Sequence, residues 1–173
     1  VQQAAKRIAG AVECTPVLTS AALDKATGHR LFFKCENLQR TGSFKLRGAM
    51  NSLASLSDED RARGVVAYSS GNHAQGVAAA ARHFGVAATI IMPEDAPAIK
   101  KANTIALGAK VVTYDRYSES REDLGRQIRA ETGAVLVPPY DFAPTIAGQG
   151  TSGMETTNQL RTRGLSLDLA IIC

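Results

Sequence analysis

The sequence is poor in the residues that would announce several kinds of function. Tryptophan is absent, and aromatic residues make up 5% of the 173 positions. Lys and Arg form no run and carry no aromatic interleaving, so the formal charge of +4 reads as a solvated surface. A nucleic-acid partner is not expected. The three cysteines, Cys14, Cys35 and Cys173, are odd in number and far apart. No Cys-x-x-Cys occurs, and none has metal-ligand spacing to His29, His73 or His83. No metal site is therefore expected in this chain, and reduced thiols in a cytoplasmic protein are. No apolar run approaches the roughly 20 residues that cross a bilayer, so no membrane partner is expected.

What is present is alanine, glycine and an alternating pattern. Hydrophobic residues are 45% and charged residues 21%, the balance of an ordinary globular domain. Short apolar runs predict strands at 31–36, 64–68, 86–92, 109–114, 134–137 and 167–173. Longer periodic stretches predict helices at 44–56, 72–84, 97–107, 118–132 and 145–163, several stopped by glycine (Gly108, Gly133). Strands that are apolar throughout, each followed by a helix, imply parallel strands buried on both faces. The expectation is a doubly wound α/β fold. The chain stops inside the last apolar run, which suggests a piece of a longer protein.

Three stretches carry chemistry. Thr41-Gly-Ser-Phe-Lys-Leu-Arg-Gly48 places Lys45 just after Ser43, a candidate helix N-cap. A helix N-terminus carries partial positive charge and disfavours a cation. Either Lys45 snorkels to solvent, or its amine is kept partly neutral by the helix end and by Arg47 and acts as a nucleophile toward an aldehyde. Ser69-Ser-Gly-Asn-His-Ala-Gln-Gly76 lies between a strand and a helix, where α/β proteins bind ligands. Asn72 is placed to cap that helix, whose free N–H groups can hold a carboxylate or phosphate. Five polar side chains exceed what capping alone needs. Gly148-Gln-Gly-Thr-Ser-Gly153 fits G-x-G-x-x-G, but no strand precedes it, so helix start and close packing are favoured over dinucleotide binding. His29 and His83 read as surface or packing residues. Arg116 or Arg121, in a polar stretch after a strand, could meet a ligand carboxylate.

Four stretches jointly resemble the fold-type II pyridoxal-phosphate enzymes (tryptophan synthase β-like), in the serine racemase and threonine/serine dehydratase branch. They are Ser43 to Ala49, Ser69 to Gly76, Ile91-Met-Pro93 and Ile146 to Thr151. The resemblance implies pyridoxal 5'-phosphate as cofactor and a small amino acid as substrate. It makes Lys45 the Schiff-base lysine and base, with Phe44 beside the cofactor ring and Asn72 on its phenolic oxygen. It makes Ser69, Ser70, Asn72 and His73 the substrate-carboxylate holders, joined by Arg121 from a mobile domain. Ser70 resembles the serine of racemases that works opposite the lysine, so racemisation stands beside β-elimination of water from serine or threonine. A threonine or hydroxyaspartate dehydratase without racemase activity, or a non-catalytic amino-acid-binding fragment, remain as alternatives. The resemblance divides the chain into 1–63 with 142–173, part of a large cofactor-binding domain, and 64–141, a small mobile domain. It implies a homodimeric full-length parent whose glycine-rich phosphate loop and Mg2+ site lie outside this chain.

Overall fold

A computed structural model describes residues 1–172. Along the chain it forms α1 (Gln2–Ile8), β1 (Val17–Leu18), α2 (Ala21–Thr27), β2 (Phe33–Lys34), a single 3-10 turn (Glu36–Leu38), α3 (Lys45–Ala54) and α4 (Asp58–Ala62). There follow β3 (Val65–Tyr68), α5 (Asn72–Phe84), β4 (Ala88–Pro93), α6 (Ala98–Ala106), β5 (Lys110–Tyr114), α7 (Arg121–Thr132), β6 (Val135–Leu136) and α8 (Ala143–Arg161).

Four strands pair in the order β5-β4-β3-β6, every pair parallel. Side chains alternate across a strand, so the two faces take different helices. Val65, Ala67, Ile90 and Met92 pack with Ala74, Val77 and Ala78 of α5 and with Leu46, Met50 and Leu53 of α3. Val66, Ile91 and Tyr114 pack with Leu124 and Ile128 of α7 on the other face. The expected doubly wound α/β class is what forms. The alanines of α5 explain the thinness of this layer: without long side chains, α3 lies close behind α5 and shares its core.

Several local expectations give way. The predicted strand at 31–36 shrinks to Phe33–Lys34 and pairs antiparallel with β1, outside the main sheet. The segment 167–172 forms no strand: an apolar run becomes a strand only beside a partner, and among the described residues none is offered. Leu169, Ile171 and Ile172 are exposed instead; Cys173 lies outside the described residues. Helices α1, α2 and α4 are short and went unread, although Ser20 and Ser57 cap two of them. Helix α7 begins at Arg121, capped by Ser120, not at Ser118. Gly148 sits inside α8, well past its start at Ala143, so the glycine motif packs a helix and does not open one.

Candidate active site

Helix α3 begins at Lys45 with Phe44 in the capping position and no side-chain cap. Ser43 is therefore not the N-cap; its hydroxyl and that of Thr41 are buried and have no hydrogen-bond partner among the described residues. The Lys45 Nζ donates to the backbone carbonyl of Pro139 at 3.0 Å and lies 5.2 Å from the Phe44 ring centre. Among the described residues no carboxylate pairs with it. Burial lowers its pKa from the ordinary lysine value.

Arg47 has no part in that shift, because its own charge is fully engaged. Its guanidinium is 0% exposed and is gripped by two carboxylates. Nε and Nη2 donate to Glu36 at 2.8 Å each, and Nη1 and Nη2 donate to Glu155 at 2.8 Å each. Nη2 also donates to the Glu13 carbonyl at 3.0 Å. Burial opposes the charge, but the two glutamates outweigh it and raise the pKa above the usual arginine value. This buried fork binds α3 to α8 and to the 3-10 turn, and so sets where Lys45 starts. Sequence reasoning missed it, since Glu36 and Glu155 carry no motif.

The loop between β3 and α5 supplies the second cluster. Gly71, not Asn72, holds the capping position of α5, and no side chain caps it. The first-turn N–H groups thus stay open toward the carboxyl edge of the sheet. Asn72 is exposed. His73 is buried, and its Nε2 lies 2.9 Å from the Val137 carbonyl. Desolvation, opposed by that carbonyl and reinforced by the nearby Lys45 charge, lowers its pKa to about 4. The ring is therefore neutral near pH 7, Nε2–H donates to Val137, and Nδ1 is a buried acceptor without a partner among the described residues. Gly76 faces the Lys45 backbone: a Cβ there would lie 3.1 Å from the Lys45 carbonyl carbon. This close approach brings the start of α5 against the start of α3.

Ser69 and Ser70 open onto a small polar cavity of about 150 Å³ that also meets Tyr114, Arg116 and Arg121. Arg121 Nε donates to Glu122 at 2.8 Å, and its guanidinium carbon stands 5.1 Å from the Tyr68 ring centre. The structure thus places the sequence candidates in two neighbouring groups: Phe44, Lys45 and His73 where α3 meets α5, and Ser69, Ser70 and Arg121 around the cavity. The Pro139 carbonyl and Tyr114 were not foreseen; a backbone acceptor leaves no trace in a sequence. His83 is exposed and stacks edge-on against Phe84 at 4.8 Å. Among the described residues, no group of three or more His, Cys, Asp or Glu could hold a metal ion, and no helix is long and apolar enough to cross a membrane.

A half-buried amine with a lowered pKa and, among the described residues, no acidic partner and two orphaned hydroxyls just ahead of it fits a group that brings its own polar atoms and an electrophilic carbon. A family model described as pyridoxal-phosphate dependent enzyme matches residues 8–173. An L-threo-3-hydroxyaspartate ammonia-lyase of Saccharomyces cerevisiae is 53% identical over 160 residues, covering 92% of this chain and 49% of that protein. A serine racemase of Schizosaccharomyces pombe is 43% identical over 100% of this chain and 52% of its own length. The solved structure of maize serine racemase superposes with a TM-score of 0.90 at 45% identity, covering 92% of this chain and 49% of that one. The chain spans about half the length of the curated relatives it matches.

Proposed function

Because the chain belongs to the pyridoxal-phosphate dependent enzymes, we propose that it carries the lysine half of an active site for racemisation or dehydration of small β-hydroxy amino acids. The observation that carries this reading is Lys45, a lysine at the first position of a helix with burial against its charge and, among the described residues, only a backbone carbonyl as hydrogen-bond partner. Lys45 would hold the cofactor's aldehyde carbon, Phe44 would flank its ring and Asn72 would reach its phenolic oxygen. When bound, pyridoxal phosphate supplies an electron sink that acidifies the substrate α-proton.

The chain's own groups do the rest. The Lys45 Nζ takes the α-proton; its lowered pKa keeps more of the amine unprotonated at neutral pH. The Ser70 hydroxyl comes from a different element, the β3–α5 loop, and moves a proton from another side, which racemisation requires and elimination does not. The open N–H groups at the start of α5, with the Ser69 and Asn72 side chains, receive the substrate carboxylate, and Arg121 approaches it from the cavity wall. His73 contributes through its backbone and its fixed neutral ring, whose one N–H is committed to Val137. Relatives named for hydroxyaspartate and for serine support both the eliminating and the racemising outcome.

The proposal includes a division of the chain in which 64–141 is a smaller body that moves against the rest. The four-stranded sheet lies within that span. Its two borders, Gly64 with φ 83° and Asp141 with φ 49°, are both left-handed backbone positions.

The test is to add pyridoxal phosphate to the full-length protein, reduce with borohydride and map the labelled peptide by mass spectrometry. A single adduct on Lys45, absent in Lys45→Arg, is expected, with release of ammonia and a 2-oxo acid from serine, threonine or 3-hydroxyaspartate, or formation of the D-isomer. Labelling scattered over many lysines with Lys45 untouched would end the proposal.

A further inference from the structure

We infer that Arg116 selects substrates bearing a second carboxylate, and that the site favours a β-hydroxy dicarboxylic amino acid over serine. The inference rests on the amino-acid chemistry proposed at Lys45 and adds to it a residue that decides among the substrates named there.

The cavity beside Ser69 and Ser70 is lined by two guanidiniums, Arg116 and Arg121, and among the described residues by no carboxylate. A third cation stands next to the same loop: the Lys100 Nζ is 3.5 Å from where a Cβ on Gly71 would sit. It makes no hydrogen bond or ion pair among the described residues. These cations come from three elements, α6, the β5–α7 loop and the start of α7, so they are not a by-product of one charged helix face. A monocarboxylic substrate offers one anionic group, and the open N–H groups of α5 with Arg121 already provide for it. Arg116 is surplus to that need.

Arg116 is also built to exchange partners. Its Nη2 meets Asp95 at 2.7 Å, with both side chains about half exposed at 45% and 55%. Such a pair is weak and readily replaced. The contact is made through one terminal nitrogen; the remaining edge of a five-donor fork can take a carboxylate two-handed. Asp95 follows β4 and Arg116 follows β5, which puts the pair on the carboxyl edge of the sheet where the substrate enters. A cavity of about 150 Å³ suits a short side chain and its carboxylate. Beyond the two serines and two arginines its lining is Ile91, Pro93 and Tyr114.

The experiment uses the full-length protein loaded with pyridoxal phosphate, its Arg116→Gln and Arg116→Lys variants, and three amino acids: threo-3-hydroxyaspartate, serine and O-phosphoserine. The wild type is expected to prefer 3-hydroxyaspartate. In Arg116→Gln the ratio of kcat/KM for 3-hydroxyaspartate over serine should fall by about tenfold or more, chiefly through KM, and Arg116→Lys should restore part of it. Calorimetric titration with succinate reads the same contact without turnover, and its Kd should rise by about tenfold in Arg116→Gln. Equal losses on both substrates, or an unchanged ratio with unchanged succinate affinity, would overturn the inference. A preference for O-phosphoserine would overturn the carboxylate assignment. If no amino acid turns over and Lys45 is not trapped, the proposed reaction fails, and the succinate titration still decides Arg116.

Discussion

A buried histidine and a buried arginine frame Lys45, and they show how differently two charges are handled in the same interior. Arg47 keeps its charge because two carboxylates meet it; His73 gives its charge up because only a carbonyl does. The consequence for His73 is a pH dependence with a definite sign. Its pKa falls from the ordinary 6.5 to about 4 on folding. Between those values the unfolded chain binds the proton more readily, so the folded state is fully favoured above about pH 6.5 and loses stability as pH falls toward 4. The loss is about 3 kcal/mol at most. Urea unfolding of the full-length protein at pH 7 and at pH 4.5, compared with His73→Gln, should show this component in the wild type and its absence in the variant. An identical pH response in both would refute it. At this scale the sequence was partly legible. The odd position of Lys45 and the crowding of polar groups at 69–75 were visible as local anomalies. That neither Ser43 nor Asn72 caps its helix was not, because a cap is defined by backbone angles and a free N–H, and in both places the cap position lies one residue away from the polar side chain.

Helix α8 crosses α3 on glycine. A Cβ on Gly148 would lie 2.4 Å from the Arg47 carbonyl oxygen and 2.6 Å from the Gly48 Cα. Both are backbone atoms that cannot turn aside. A Cβ on Gly153, in the same helix, would meet nothing within 4 Å. The two glycines therefore predict opposite outcomes. Gly148→Ala should force the helices apart and cost about 1–3 kcal/mol or more. Gly153→Ala should stabilise by about 0.5–1 kcal/mol through helix propensity. Thermal unfolding of the two variants checks this directly, and a destabilised Gly153→Ala would show that the helix surface is read wrongly. Elements with a strong period, such as α5 and the central strands, were readable from the pattern of apolar residues. The two-residue strands and the one-turn helices were not, because their stability comes from neighbours and not from their own period. The apolar run at 167–172 misled for the same reason: strand formation is a property of a pair.

For the whole molecule, the contact between α5 and α3 is also the joint between the two proposed bodies. On the α5 side it is lined mostly with alanine and with Gly76, close against the Lys45 backbone, so Leu46, Met50 and Leu53 of α3 meet few long side chains there, which suits small sliding movements. If 64–141 closes over a bound ligand, hydrogen exchange in the full-length protein should slow at 69–71 and 115–121 on adding succinate, with α3 and α8 little changed. Uniform protection, or none, would count against two bodies.

The Arg47 fork has a further consequence for mutation. Arg47 is tied to α8 and the 3-10 turn through Glu36 and Glu155, so a change at any of the three leaves a buried charge stranded. The loops at 69–71 and 115–117 carry no such debt. Substitutions in those loops, Arg116 among them, are therefore expected to leave the helix that presents Lys45 in place, because Glu36 and Glu155 hold Arg47 independently of them.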